Sequence, residues 1–291
     1  MRAGFIGLGA MGKPMAINLH KAGLLRSIWN RTATVAERLA AELGCARAED
    51  PGALAAASDV VVICVSGDDD VLEIVDTIGP SLHAGAIVID CSTISAKTAR
   101  EAARRLTRFD TGFLDCPVSG GTEGARAGTL SIMSGGDADD LARVQPVLEA
   151  MGRTIVHMGP VGAGQATKAT NQIMVAGINQ AVTEALAFAQ AHDLPMDRLI
   201  TALSGGAAGN WFLSHRGPTM VRGEYPLGFK VGLHQKDLDI CADMAAEYGV
   251  RLPIIEMTRH HYARLLAAEH GDEDISSLFR IKSGLFRDGE T

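Results

Sequence analysis

A glycine motif near the start of the chain constrains the fold more than any other feature of the sequence. A short apolar strand is predicted over residues 3–6, the glycines follow it without a gap, and a helix is predicted from residue 10 to about residue 22. Strand, G-x-G-x-x-G spacing and helix in this order form the context of the dinucleotide-binding fingerprint. Gly7 allows the tight turn, Gly9 lets backbone N–H groups approach a pyrophosphate, and Gly12 lets helix and strand pack closely. We therefore predict a Rossmann domain whose cofactor turn comprises Gly7, Gly9, Ala10, Met11 and Gly12.

The end of the second predicted strand indicates which dinucleotide is bound. The strand Ser27–Trp29 leads into Asn30, Arg31 and Thr32, none of which is acidic. A site for NAD(H) usually places Asp or Glu about twenty residues beyond the glycines, where it binds the ribose hydroxyl. A guanidinium between two neutral hydrogen-bonding side chains suits a 2′-phosphate instead. We therefore predict NADP(H) as the preferred cofactor and NAD(H) as the second option. In the alternative interpretation, Arg31 only begins the next helix from the solvent side.

Strands and helices continue to alternate up to about residue 161, which is typical of a parallel sheet covered by helices. Predicted strands over Val60–Val65 and Ala86–Asp90 place polar residues at or just beyond their carboxyl ends. Sheets of this kind bind ligands at those ends. We therefore predict that Val65, Ser66 and Thr93 contact the cofactor.

A serine and two glycines form a second candidate binding loop. Ser119, Gly120 and Gly121 follow a predicted strand over residues 113–115. A hydroxyl group and consecutive N–H groups that no side chain obstructs resemble an anion nest, which suits a carboxylate. Taken alone, such a loop is more often only a turn.

One long helix is predicted over residues 162–191, because no proline lies between Val161 and Leu194. At 100° per residue, one face of this helix carries Lys168, Asn171, Gln172, Val175 and Asn179. A solvated surface is the simplest interpretation of such a polar face. The position of this helix directly after a nucleotide-binding fold favours a functional role for the face instead. The chain beyond it is predicted to be all helical. We therefore predict a dinucleotide-binding Rossmann domain over residues 1–161 and a helical substrate and dimerisation domain over residues 162–291, joined by the long helix.

Composition argues against several classes of function. The net charge is −7 and only 4% of the 291 residues are aromatic, which argues against nucleic acid as a partner. The most apolar short run, Val60–Val65, is far too short to cross a bilayer. Because the first residues enter a predicted strand directly, we expect no signal peptide. Five widely spaced cysteines without a C-x-x-C pair indicate reduced thiols, and hence a cytoplasmic protein.

Two groups of residues resemble metal ligands, and we predict a metal site at neither. Asp68, Asp69 and Asp70 begin a predicted helix, where successive acidic residues favour the positive end of the helix dipole. Glu256, His260 and His261 lie on a later helix, but adjacent histidines cannot share a face with the glutamate, and we expect a solvated surface there.

Four motifs, taken in order, resemble the β-hydroxyacid dehydrogenase family. Its members include 3-hydroxyisobutyrate dehydrogenase, tartronate semialdehyde reductase, glyoxylate/succinic semialdehyde reductase and, more distantly, 6-phosphogluconate dehydrogenase. The resemblance covers essentially the whole chain. The motifs are Phe5-Ile-Gly-Leu-Gly-Ala-Met-Gly12, Asp115-Cys-Pro-Val-Ser-Gly-Gly121, Gly162-Ala-Gly-Gln-Ala-Thr-Lys168 and Lys236-Asp237-Leu238.

The resemblance implies a role for each matched position. Lys168 is then the catalytic lysine, and Asn171 holds this lysine or the substrate hydroxyl in place. The loop Ser119-Gly120-Gly121 holds the substrate carboxylate, and Thr93 approaches both nicotinamide and substrate. Lys236 and Asp237 come from a later helix, the lysine to the cofactor and the aspartate to the substrate. Phe229 resembles a pocket aromatic of the glyoxylate reductase branch. The family also implies a homodimer or homotetramer.

One departure from the family pattern affects the choice of substrate. The family commonly has two asparagines three and four residues after the lysine, where this chain has Asn171 and Gln172. An Asn-Gln pair is similar to the tartronate semialdehyde reductases, which weakens any transfer of substrate from the 3-hydroxyisobutyrate branch. The expected reaction is hydride transfer between NADP(H) and a small β-hydroxy acid or aldehyde acid, with Lys168 as general acid and base.

Two other functions stay open from the sequence. One is an imine-reducing relative, although such enzymes typically replace the lysine. The other is a non-catalytic NADP(H)-binding sensor or scaffold, although the lysine and the Ser-Gly-Gly loop are both present. In the helical half, Trp211 and Phe212 are candidates either to line the substrate cleft or to fill the core, and we expect the core, where large aromatic side chains are commonly buried.

Overall fold

The computed structural model describes residues 1–286. The chain divides into two compact units, Met1–Lys168 and Ala169–Thr291, each with its own hydrophobic core. The Rossmann fold predicted for the first half and the helical fold predicted for the second are both confirmed.

The first unit is built on one twisted sheet. The order of its strands is β3-β2-β1-β4-β5-β6-β8-β7, with β9 paired to β8. The pairs from β3 to β6 are parallel, β8 runs antiparallel to β6 and β7, and β9 is parallel to β8. The strands are β1 Ala3–Ile6, β2 Leu25–Trp29, β3 Ala46–Arg47, β4 Val60–Ile63, β5 Ile87–Asp90, β6 Gly112–Asp115, β7 Val118–Ser119, β8 Leu130–Gly135 and β9 Gly152–Gly159.

Helices cover both faces of this sheet, which is why its central strands are buried and, apart from Asp90 at the end of β5, apolar. Every residue of Val60–Ile63 and of Ile87–Asp90 is buried. Two core clusters fill the two faces. The helices are α1 Gly12–Lys21, α2 Ala33–Leu43, α3 Pro51–Ala56, α4 Asp68–Ile78, α5 Ala96–Leu106, α6 Gly121–Ala127 and α7 Ala138–Met151.

The predicted long helix is present as α8, Ala163–Ala191, a single helix of 29 residues. It begins within the first unit and continues into the second. A buried carboxylate fixes its start: Asp115 Oδ1 accepts a hydrogen bond from the Gly162 N–H and Oδ2 from the Gln165 N–H, at 2.7 and 2.8 Å. Gly164 lets this first turn approach the sheet, because a Cβ there would overlap the carbonyl oxygens of Asp115 and Met133.

The second unit is helical, as expected. Its core includes Leu186, Leu238 and Tyr262. Within the described part of the chain, no helix is both long and apolar enough to cross a membrane. The helices beyond α8 are α9 Met196–Ser204, α10 Trp211–Met220, α11 Val231–Ala246, α12 Pro253–Ala267 and α13 Phe279–Gly284.

Two expectations for the second unit need correction. Phe212 is buried, but Trp211 is 54% exposed, stacks on His215 with ring centroids 4.4 Å apart, and lies 5.3 Å from the Arg216 guanidinium. Trp211 is the first residue of α10, directly after the Asn210 cap, and its ring partners are polar side chains of the next turn. His260 is exposed as expected, whereas His261 is half-buried and contacts the Gln180 side-chain amide.

Candidate functional site

The glycine turn after β1 has a shape that lets a ligand approach the protein backbone. Gly7 has φ +94°, and a Cβ there would overlap the Cys64 carbonyl oxygen, while a Cβ on Gly12 would overlap the Gly7 carbonyl oxygen. These two glycines are therefore required by the fold itself. A Cβ on Gly9, in contrast, would meet nothing within 4 Å. Met11, at the N-cap of α1, makes no capping side-chain hydrogen bond, so the positive end of α1 has no side-chain cap. Open space over Gly9 and an uncapped helix start fit the pyrophosphate of a dinucleotide.

Asn30 and Arg31, which follow β2, have different partners. Asn30 Oδ1 accepts a hydrogen bond from the Leu8 N–H at 2.9 Å, so this residue holds the glycine turn in shape. The Arg31 side chain is 76% exposed, and its Nη1 lies 2.8 Å from Asp70 Oδ1. The sequence placed Asp70 only at a helix start. In the structure, the first turn of α4 also supplies the ion-pair partner of Arg31.

The ends of β4 and β5 are tied to the start of α8. Ser92 Oγ accepts a hydrogen bond from the Val65 N–H at 2.9 Å. Gln165 is buried, and its side-chain amide binds both neighbours of Thr93: it donates to the Ser92 carbonyl at 2.8 Å and accepts from the Ile94 N–H at 3.2 Å. Thr93 is half-buried between these two contacts. Gln165 was present in the matched motif, but the sequence assigned it no role.

The environment of Asp115 is unusual for a carboxylate, because this side chain is fully buried. Burial raises the pKa of Asp115, and hydrogen bonds from the N–H groups of Gly162 and Gln165 oppose that rise. The negative charge lies at the N-terminus of α8, where the helix dipole stabilises it. Asp115 therefore anchors the helix that carries Lys168 one turn later.

Lys168 and the Ser-Gly-Gly loop, predicted separately, are brought together. The buried Lys168 donates a hydrogen bond from Nζ to the Val118 carbonyl oxygen at 2.9 Å. Val118 directly precedes Ser119, and Gly120 and Gly121 have φ +131° and +62°. Two successive glycines in conformations that other residues rarely adopt carry no side chains of their own over the backbone N–H groups, while the Leu130 side chain packs against Gly120. A cation and a glycine loop thus lie side by side.

In the second unit, a chain of side-chain contacts links Asn171, Gln172, Asp237 and Lys236. Asn171 Nδ2 donates to Gln172 Oε1 at 2.8 Å, and Gln172 Nε2 donates to Asp237 Oδ2 at 2.6 Å. Lys236 Nζ lies 3.0 Å from Asp237 Oδ1. Gln172 and Asp237 are buried, so water does not compete for these contacts. The sequence placed Gln172 on the polar face of the long helix and at a departure from the family pattern, and the structure makes it the link between α8 and α11.

Phe229 is held through its backbone. The Phe229 and Gly228 N–H groups both donate to Asp274 Oδ2 at 2.9 Å, and Asp274 is buried beside Arg216. The ring of Phe229 is half-buried, with its centroid 5.2 Å from that of His234. These contacts fix where Phe229 lies, and its role as a pocket residue stays a prediction.

Metal ligation has no support in the part of the chain that the structure describes. Across residues 1–286, no three His, Cys, Asp or Glu side chains are grouped to hold a metal ion. Glu256 pairs with Arg251 and Arg259. Asp68 and Asp70 bind the Ser95 N–H and Arg31. None of the five cysteines, all of which lie within residues 1–286, forms a disulfide bond.

Comparisons with known proteins cover nearly the full chain. The model for the NAD binding domain of 6-phosphogluconate dehydrogenase matches residues 2–159, and the model described as NAD-binding of NADP-dependent 3-hydroxyisobutyrate dehydrogenase matches residues 162–281. The 2-hydroxy-3-oxopropionate reductase of Escherichia coli is 40% identical over 87% of both chains. The NAD-dependent L-serine dehydrogenase of Pseudomonas aeruginosa is 34% identical over 95% of this chain and 96% of its own. Among solved structures, 3-hydroxyisobutyrate dehydrogenase of Mycobacterium tuberculosis with L-serine is 32% identical, with a TM-score of 0.88 over 97% of this chain and 99% of its own.

Proposed function

The chain belongs to the β-hydroxyacid dehydrogenase family and is therefore an NAD(P)-dependent enzyme, and we propose that it reduces a small aldehyde acid with NADPH, Lys168 supplying the proton. One observation carries the proposal. The Lys168 ammonium group lies 2.9 Å from the Val118 carbonyl oxygen, at the start of the loop predicted to bind a carboxylate. Proton donor and carboxylate loop are then close enough to act on the two ends of one small molecule.

Each candidate site residue of the first unit has a defined role in this proposal. When bound, the nicotinamide supplies the hydride that reduces the aldehyde carbon. Lys168 donates a proton to the oxygen of that carbon as negative charge develops on it, and it takes the proton back in the reverse direction. The N–H groups of Gly120 and Gly121 and the Ser119 hydroxyl bind the carboxylate and orient the aldehyde. Gln165 holds Thr93 in place from both sides.

The preference for NADPH rests on Arg31. No acidic side chain follows β2, and Arg31 presents a largely exposed guanidinium there. Its contact with Asp70 occupies one nitrogen, and a guanidinium has five N–H donors, so a phosphate can bind beside the carboxylate. Relatives include an enzyme named as NAD-dependent, which makes the preference a property to be measured on this chain.

For the substrate, we propose 2-hydroxy-3-oxopropanoate, also called tartronate semialdehyde, or a close analogue. The Asn171-Gln172 pair and the 40% identity to the reductase named for this compound both support it. We also propose a cytoplasmic homodimer or homotetramer. Cysteines without disulfide bonds support the compartment. Met174 and Phe188, which are 62% and 52% exposed on α8, support apolar contacts between copies.

Initial rates test the reaction and the lysine together. NADPH and NADH would each be measured against glyoxylate, succinic semialdehyde, 2-hydroxy-3-oxopropanoate and methylmalonate semialdehyde, with the corresponding alcohols in reverse. Lys168→Met should lower kcat by at least about 100-fold, the low end for a general acid, while leaving NADPH affinity unchanged. Lys168→Arg keeps the positive charge but holds its proton too tightly, so it should be nearly as slow. Turnover close to wild type in both variants would refute the role of Lys168.

Arg31→Ala tests the cofactor. Loss of a charged hydrogen bond costs about 1.5–3 kcal/mol, so kcat/KM for NADPH should fall about 10- to 150-fold while that for NADH stays within twofold. Asp70→Asn is the matched control, because it removes only the competing anion. NADPH affinity should then rise by a few-fold at most, as expected for an exposed ion pair. An equal loss of kcat/KM with both cofactors in Arg31→Ala would show that Arg31 does not bind the 2′-phosphate.

A further inference from the structure

We propose that Asp237 acts as a positioning residue, setting the amide orientation of Asn171 through Gln172 so that Asn171 presents its carbonyl oxygen. In this proposal Asp237 acts on the site through Gln172 and Asn171, in place of the direct substrate contact that the family resemblance implied. The inference deepens the proposed function and rests on it, because an oriented Asn171 matters only if Lys168 and a substrate hydroxyl are its neighbours.

The first step is the contact between Asp237 and Gln172. An ionised carboxylate can only accept hydrogen bonds, so the Gln172 atom 2.6 Å from Asp237 Oδ2 must belong to the NH2 group. The other oxygen, Oδ1, lies 3.0 Å from Lys236 Nζ, which balances the charge. Asp237 is 4% exposed and Gln172 is 2% exposed, so solvent offers neither side chain an alternative partner.

The second step follows from the shape of an amide. Because the NH2 group of Gln172 faces Asp237, its Oε1 faces the opposite way and accepts from Asn171 Nδ2 at 2.8 Å. This contact commits the NH2 group of Asn171 and turns its Oδ1 away from Gln172. A primary amide has nearly the same shape after a 180° flip, so two neighbouring amides alone would not choose between orientations. The carboxylate at the end of the chain makes that choice.

The consequence concerns the helix face that carries Lys168. Asn171 follows Lys168 by three residues on α8, so the two side chains leave the same face of one helix. A carbonyl oxygen there accepts from an ammonium group or a substrate hydroxyl, whereas an NH2 group would repel the ammonium and could only donate. Reversing the amide would thus replace an acceptor by a donor beside the proton-transfer group.

A charge exchange between two positions tests the chain of contacts. Asp237→Asn removes the acceptor-only group, and kcat should fall about tenfold because Gln172 and Asn171 can then flip. Gln172→Glu alone sets two carboxylates face to face, so its activity should appear only at lower pH, where the pair shares a proton. In the double variant Asp237→Asn/Gln172→Glu, the new amide donates to the new carboxylate, which again accepts from Asn171 Nδ2. Activity should return to within a few-fold of wild type.

A spectroscopic measurement separates this proposal from the proposed function. In 15N-labelled protein, the side-chain NH2 signals of Asn171, assigned with Asn171→Asp, should be single and slowly exchanging in wild type and in the double variant. They should be broadened or shifted in Asp237→Asn. Unchanged signals in Asp237→Asn, or a folded double variant without recovered signals and kcat, would overturn the proposal. Because the spectrum needs no turnover, it decides the matter even if no aldehyde acid is a substrate. If Asp237→Asn alone does not fold, the double variant decides by the same two readouts.

Discussion

The two units of the chain hold their predicted site residues by different means. In the first unit, backbone groups dominate: Lys168 donates to a carbonyl oxygen, Asp115 accepts from two N–H groups, and glycines define both loops. In the second unit, side chains hold one another, as in the contacts from Asn171 through Gln172 to Asp237. A site held by backbone changes only when the fold changes. A site held by side chains can lose its orientation while the fold persists.

The largest effect is expected where backbone approaches backbone. Gly12→Ala forces a Cβ into the Gly7 carbonyl oxygen, and overpacking of this kind costs about 1–3 kcal/mol or more, so the melting temperature should fall by many degrees. Gly9→Ala is the matched control, since its Cβ meets nothing within 4 Å. It should melt like wild type but bind NADPH more weakly, as shown by thermal unfolding and fluorescence titration. Equal stability of the two variants would contradict the distinction.

The next effect is expected at the anchor of α8. Asp115→Asn replaces one of two accepting oxygens by an NH2 group, which faces an N–H donor of Gly162 or Gln165. Loss of this charged hydrogen bond should lower the free energy of unfolding by about 2–3 kcal/mol. Denaturant titration would measure it against Asp139→Asn, an exposed aspartate in α7. A loss as small as that of the control would show that the carboxylate does not hold α8.

A smaller effect is expected in the side-chain network of the second unit. Tyr262 OH lies 3.0 Å from both Asn179 Nδ2 and His234 Nδ1, and all three side chains are buried. Tyr262→Phe keeps the ring and removes the hydroxyl, so the free energy of unfolding should fall by about 1–2 kcal/mol. Tyr248→Phe, at an 83% exposed position, should leave it unchanged. Similar denaturation midpoints for the two variants would contradict a structural role for the network.

The smallest effect is a pH dependence. Burial, and then the positive charges of Lys282, His260 and Arg264, lower the pKa of His261 to about 4. The folded state therefore disfavours protonation, and His261 contributes stability above about pH 6.5 that is lost as the pH falls towards 4. His261→Gln should lose less stability over this interval than wild type, and His260→Gln should lie between the two, because it removes one of the charges that lower the pKa of His261. Because His261 is only half-buried, we expect a fraction of a kcal/mol. Parallel curves of unfolding free energy against pH for all three proteins would refute this prediction.

The same contrast explains what could be predicted from the sequence. The glycine turn, the strand ends and the long helix depend on neighbours within a few residues, and their patterns are local. The contact of Arg31 with Asp70 joins a loop to the first turn of α4 across 39 residues of sequence, and that of Gln172 with Asp237 joins two helices across 65 residues. No local pattern encodes such distances.

Two other differences have equally physical origins. The short helix α6 was not predicted, because Gly121–Ala127 contains two glycines and is only seven residues long. The exposure of Trp211 depends on its position directly after a cap, and size alone favoured the core. In both cases the position of a residue in a helix decided the outcome, and residue type alone did not predict it.

The uninterrupted helix α8 has one more consequence, which concerns spacing and not residue type. A straight helix turns by 100° and rises 1.5 Å for every residue. A single residue inserted between Lys168 and Asn171 would therefore rotate every later side chain by 100° and carry Asn179 off the face it shares with Lys168. Along these 29 residues, substitutions change one group at a time, but an insertion or deletion changes the phase of all that follow. The number of residues between two positions is itself part of what this helix encodes.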